Sequence, residues 1–121
     1  MYKRQEQNNP FSLEYLPYAL NDMIEIVSSY IMFGSKQGAI KVKDSFNKAA
    51  QQISVFPYSG VAVPDDKLAK LNFRMIIVGK YLMFYRVFEN EHKVIFYRVL
   101  NGKRNYPTLL SRFMQEAGAE E

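Results

Sequence analysis

Apolar positions change their period near the middle of the chain. In the first half, Leu20, Met23, Ile24, Val27, Tyr30 and Ile31 recur at steps of three and four residues, and Asn21, Asp22, Glu25 and Ser28 fall off that stripe. The spacing predicts an amphipathic helix with one face toward a core. Pro17 suits its first turn, where the missing N–H costs nothing. Gly34 is placed to end the helix in the left-handed conformation, and Ser35 to cap a second one. In that second segment Ala39, Val42, Phe46, Ala49, Ile53 and Phe56 follow a 3-4-3-4-3 spacing until Pro57 closes it. The two segments predict a helical hairpin. Ahead of it, Phe11-Ser12-Leu13-Glu14-Tyr15-Leu16 alternates as a half-buried strand does.

Pro57 to Asp66 carries two prolines and a glycine and reads as a surface loop. Beyond it the apolar period becomes 2. Leu71 to Val78, Lys80 to Phe88 and Lys93 to Asn101 are rich in Ile, Val, Phe and Tyr, as strands are. Gly79-Lys80 makes a tight connection between the first two, and Glu89 to His92 a longer one before the third, so an antiparallel meander is expected. Tyr106 to Met114 reads as a short last helix with Leu109, Leu110 and Phe113 on one side. The fold class is therefore α+β: an N-terminal strand, a helical hairpin, a three-stranded antiparallel meander and a short C-terminal helix. One domain is expected over residues 11–114, between a disordered polar tail at 1–10 and a frayed acidic tail at 115–121.

Strict alternation sorts the third meander strand into Ile95, Tyr97, Val99 on one face and Val94, Phe96, Arg98, Leu100 on the other. Neither face is polar, so the sheet needs a cover on both sides. The hairpin supplies one. The last helix is too short to cover all of the other, which predicts a residual exposed surface with Arg74, Arg86 and Arg98 set among apolar residues. An unpaired guanidinium is costly to bury, so a surface position or a bound anion is its natural place.

The formal charge is +4, unevenly spread: residues 67–112 hold ten Lys and Arg against Glu89 and Glu91. Such a local positive field favours an acidic partner, whether nucleic acid or an acidic protein segment. The chain has no cysteine, which removes disulfides and thiolate metal sites, and a single histidine, His92, too little for a His-rich metal site. No metal and no cofactor are expected. Met1 to Pro10 lacks the apolar core of a signal peptide, and no apolar run reaches membrane-spanning length. The cytoplasm is the expected location, with no membrane contact.

Four blocks of the chain resemble the RelE/ParE toxin family of type II toxin-antitoxin systems (plasmid stabilisation proteins). Leu16-Pro17-Tyr18-Ala19 with Asp22-Met23 and Ile26 is similar to its strand-to-helix junction, and Phe56-Pro57-Tyr58-Ser59-Gly60 to its loop after the hairpin. Gly79-Lys80-Tyr81-Leu82-Met83-Phe84-Tyr85-Arg86-Val87 resembles the central strand, and Arg98-Val99-Leu100-Asn101-Gly102-Lys103-Arg104 the final strand and its turn. The resemblance spans residues 11–112. It implies a small cytoplasmic toxin neutralised by a cognate antitoxin with an extended acidic-hydrophobic segment, and meeting operator DNA only through that antitoxin.

The family divides by target: RelE-like members cut messenger RNA on the ribosome, and ParE-like members poison DNA gyrase. A metal-free ribonuclease needs cations and proton-transfer groups around the scissile phosphate. For that chemistry the candidates are Arg74, Arg98 and Arg104 as phosphate binders, with Tyr85 or Tyr106 to stack on a base or donate a proton. For binding a target or antitoxin the candidates are Lys80, Arg86, Phe96, Arg98, Asn101, Lys103 and Arg104. The arginine that RelE-like members place in the central strand is replaced by Tyr81-Leu82, and their late tyrosine or histidine by Leu109-Leu110. Asn101 stands where ParE-like members commonly carry histidine, which removes a base suited to neutral pH. The motifs thus favour a ParE-like, non-enzymatic toxin over a RelE-like messenger-RNA endonuclease, with an inactive antitoxin-binding member as a third reading. On the surface reading of the arginines, Arg98→Ala and Arg104→Ala relieve toxicity without unfolding the chain.

Overall fold

A computed structural model of the chain describes residues 9–111. The tail expected at 1–10 lies outside them up to residue 8, as do Arg112, Phe113 and the tail expected at 115–121. The elements are β1 (Ser12–Tyr15), α1 (Pro17–Met32), α2 (Lys36–Val55), β2 (Val61–Ala62), α3 (Asp66–Lys70), β3 (Arg74–Val78), β4 (Tyr81–Phe88) and β5 (Lys93–Asn101). Residues 106–111 are helical. The α+β class and the element order match the reading from periodicity, with β2 and α3 added inside a stretch read as loop.

The punctuation residues act as their chemistry suggests. Pro17 opens α1, Gly34 follows it at φ +81°, and the Ser35 side chain accepts the Gly38 N–H at 3.0 Å to cap α2. Asp65 caps α3 in the same way, its carboxylate accepting the Leu68 N–H at 3.1 Å. Gly79, at φ +60°, makes the tight turn from β3 to β4.

The strands form one sheet in the order β1-β5-β4-β3-β2. β3, β4 and β5 are the expected antiparallel meander, whereas β1 lies parallel to β5 at one edge, with Ser12 opposite Lys93 and Tyr15 opposite Phe96. β2 pairs only Val61 and Ala62 with Met75 and Arg74 at the other edge.

The α1–α2 hairpin covers one face, where Ala19, Val42, Phe46, Ala49, Ala50 and Ile53 pack on Tyr81, Met83, Tyr85, Val94, Phe96 and Val99. The opposite face is also covered. Val63, Leu68 and Leu110 close over Phe73, Met75, Phe84, Tyr97 and Leu100, with Leu71, Tyr106 and Leu109 at the rim. The short helix α3 supplies the cover that a single last helix lacked, so the exposed apolar-arginine surface expected there is mostly filled.

Two details depart from strict periodicity. On β5, Arg98 faces Phe84 while Phe96 faces the next residue, Tyr85, so Tyr97 is an extra residue in the ladder. This bulge moves Val99 to the hairpin side with Val94 and Phe96, and leaves Leu100 with Ile95 and Tyr97. On α1 the buried face is rotated from the apolar stripe: Asp22 is buried, whereas Leu20, Ile24 and Ile31 are exposed.

Candidate functional site

The candidate residues separate into an inward group and an outward one. Arg98 lies beyond the end of β1, where among the described residues β5 has no strand on that side. Its Nε donates to Asp22 Oδ2 at 2.7 Å and a terminal nitrogen to Oδ1 at 2.9 Å, while the Val99 N–H donates to Oδ2 at 2.9 Å. One carboxylate from α1 thus neutralises the arginine and satisfies an edge amide of β5. The Asp22 contact raises the Arg98 pKa against the opposing effect of burial. The surface position or bound anion expected for Arg98 is replaced by an internal ion pair.

Arg74 and Tyr85 fasten the loop that follows α2. A terminal Arg74 nitrogen donates to the carbonyls of Tyr58 at 3.0 Å and Gly60 at 2.7 Å. Its guanidinium also lies 5.4 Å from the centre of the Tyr58 ring. The Tyr85 hydroxyl donates to the Pro57 carbonyl at 2.8 Å and accepts the Gly60 N–H at 3.1 Å. A Cβ on Gly60 would sit 2.4 Å from that hydroxyl and 2.6 Å from the Met75 carbonyl, so this close approach requires glycine. Tyr85 has no exposed surface, and burial pushes its hydroxyl pKa up.

Phe96 is likewise fully buried, stacked on Tyr15 at 5.0 Å. Arg86 is half-buried, its guanidinium 5.7 Å from the Phe73 ring and 5.3 Å from that of Phe88, and it donates to the Tyr97 hydroxyl at 3.4 Å. Tyr106 packs its ring 5.1 Å from that of Phe84. The His92 Nε2 lies 2.8 Å from the Asn9 carbonyl oxygen, and its ring stacks on Phe11 at 4.0 Å.

The outward group sits at one end of the sheet. Asn101 pairs with Tyr81, the Gly102 N–H donates to the Lys80 carbonyl at 2.8 Å, and the Lys103 N–H donates to Asn101 Oδ1 at 2.9 Å. The Arg104 N–H donates to the Asn101 carbonyl at 2.9 Å. These bonds tie the turn after β5 to the β3–β4 turn, so Lys80, Lys103 and Arg104, all exposed, come from one rigid corner. Arg104 lines a cleft of about 240 Å³ between α1 and the end of β5, together with Glu25, Ser29, Tyr81 and Asn101.

Asp22 and Glu25 were missed as site residues because a helix-surface acid is the ordinary reading of their positions. Their signal was the three-residue step that places both on one side of α1. Among the described residues, no three of His, Cys, Asp and Glu converge to hold a metal ion, and no helix is long and apolar enough to cross a membrane.

The fold is shared with solved structures of toxin-antitoxin systems. The chain is similar to a structure of the chromosomal ParDE toxin-antitoxin system of P. aeruginosa, with a TM-score of 0.62 and 15% identity over 77% of this chain and 97% of that one. It is also similar to one of the RelBE2 toxin-antitoxin complex of Mycobacterium tuberculosis, with a TM-score of 0.50 and 18% identity over 76% and 91%. Comparison with curated protein sequences returns no match. The class of fold is thus that of these toxin-antitoxin proteins. Within it, the model of the ParE toxin of the type II toxin-antitoxin system, parDE, matches residues 13–106, and the chain belongs to that family.

Proposed function

We propose that this toxin arrests growth in the cytoplasm by binding a protein target, DNA gyrase foremost, and that a cognate antitoxin neutralises it. The observation that supports the reading is how the cations divide. Arg74 and Arg98 hold the loop and α1, and Tyr85 is sealed in the core, so the groups a ribonuclease would use for proton transfer and phosphate binding are largely committed inside. Lys80, Lys103 and Arg104 remain exposed on a rigid corner, which suits recognition of an acidic protein surface by charge. The test is expression without antitoxin, followed by purified gyrase assays. Growth arrest with DNA damage, inhibited supercoiling and unchanged messenger-RNA ends is expected. Codon-associated messenger-RNA cuts with gyrase untouched would overturn it.

One observation favours the ribonuclease reading in second place. Glu25 shares the cleft of Arg104, and a carboxylate beside a cation is a usable base and phosphate-binder pair. In that case Glu25→Gln abolishes messenger-RNA cutting while the chain stays folded.

A further inference from the structure

We infer that the exposed apolar face of α1 is covered in solution by the same face of a second copy of this chain, the two helices lying antiparallel about a two-fold axis.

Leu20, Ile24, Val27 and Ile31 follow a 4-3-4 spacing along α1. That is the spacing of a helix–helix seam, in which such positions share one stripe. The fold of the single chain leaves most of it unused. α1 turns Ala19 and Asp22 toward the sheet, so the stripe faces outward, with Ile24 63% and Ile31 58% exposed and Val27 half-buried. A cavity of about 290 Å³ opens beside it, walled by Leu20, Met23, Ile24 and Val27 of α1 and by Lys43 and Phe46 of α2. Past the last seam position Met32 and Phe33 are more exposed still, and the exposed Ile40 stands three residues from Lys43 on α2. Together these exposed side chains offer an area on the order of the 800 Å² that each side of a standard interface buries.

The spacing also selects the occupant. Four, three, four reads the same from either end, so a copy turned end for end matches it row by row. Leu20 meets Ile31 of the other copy, and Ile24 meets Val27. A surface that complements itself is what a two-fold interface requires. Charge favours the same occupant. The stripe holds no charged residue, and Asn21 and Ser28 beside it are neutral, so two copies of a basic chain meet there without facing rows of like charge. A nucleic acid or an acidic segment would find Lys43 as the single cation among the residues that line this cleft. The cleft of Glu25 and Arg104 lies on another side of α1, lined by Asp22, Ile26 and Ser29, and stays open in both copies.

The inference goes beyond the toxin reading, because mass and cross-linking of the purified full chain test it without a target or a growth assay. Sedimentation equilibrium should give twice the chain mass, falling on dilution. Ile24→Glu, at an exposed position, should weaken association about thirtyfold or more while the urea midpoint stays unchanged. Added salt should tighten association, because it screens the Lys43 side chains that both copies bring to the seam. The chain has no cysteine, so disulfides report introduced residues alone. Leu20→Cys mixed with Ile31→Cys should form a linked dimer. Either variant by itself should not, since its own copies lie about 16 Å apart along the helices. A chain that is monomeric at every concentration would overturn the proposal, as would a dimer indifferent to Ile24→Glu, a dimer that salt dissociates, or linkage of Ile31→Cys to itself. A monomer whose α1 face takes up an RNA oligonucleotide or an acidic peptide would overturn it too.

Discussion

Asp22 shows how much a single side chain carries in this fold. It is 9% exposed, yet it is an acid, and Arg98 and the Val99 N–H share its two oxygens. Removing one partner of a buried pair strands the other, so Asp22→Ala should cost about 3 kcal/mol in urea unfolding. Arg98→Ala should also destabilise, and loss of toxicity in that variant reports folding before it reports target binding. Asp22→Leu with Arg98→Met, which removes both charges together, should recover most of the loss; a double variant as unstable as Asp22→Ala would show that packing, not the ion pair, is at stake. Tyr58 offers a second test at this scale. Burial and the hydrogen bond from its hydroxyl to Glu89, at 2.6 Å, push its pKa from 10.0 up to about 12. The folded state then holds the phenolic proton more tightly than the unfolded one. Its share of stability is complete below pH 10 and is lost as the pH rises toward 12. Tyr58→Phe should flatten that part of the stability profile, and an unchanged slope in urea midpoints would assign the alkaline loss to other groups.

Among the elements, those set by local chemistry were legible and those set by distant partners were not. Pro17, Gly34 and Ser35 punctuate the hairpin through their own backbone and side-chain preferences, and the period-2 strands β3, β4 and β5 follow from alternation. The parallel pairing of β1 with β5 joins residues about eighty positions apart in the chain and leaves no local trace. The bulge at Tyr97 hides in the same way, because alternation counts residues and cannot see one that lacks a partner. At the site, the exposed corner of Lys80, Lys103 and Arg104 was readable as charge. The inward turn of Arg74, Tyr85, Arg98 and Phe96 depended on which element packs on which face. Helix α3 is the sharpest case, since five residues between a proline-rich loop and a strand carry too few turns to show a period. It nevertheless buries Leu68 fully beneath an Asp65 cap. Asp65→Ala should cost about 1 kcal/mol and speed hydrogen exchange at the Leu68 amide. Unaltered exchange there would mean that packing alone holds α3.

At the scale of the whole molecule, what matters is whether the positive charge acts by its sum or by its place. The chain carries a formal +4, and its cations also lie on α2, where Lys36 and Lys48 are exposed. If net charge alone drew the toxin to its target, reversing any two exposed lysines or arginines would weaken it equally. A docking corner predicts otherwise. The field of the 101–104 turn is local, because charges separated by more than about 10 Å are largely screened at ordinary salt. Lys103→Glu with Arg104→Glu should therefore abolish growth arrest, whereas Lys36→Glu with Lys48→Glu, an identical change in net charge, should leave arrest intact. Both pairs are solvent-facing, so each should change stability by no more than about 1 kcal/mol in total. The corner variant should also lose target affinity chiefly through slower association, and the difference from wild type should shrink as salt is raised. Equal loss in the two double variants would move the interaction from a site on this toxin to its overall charge.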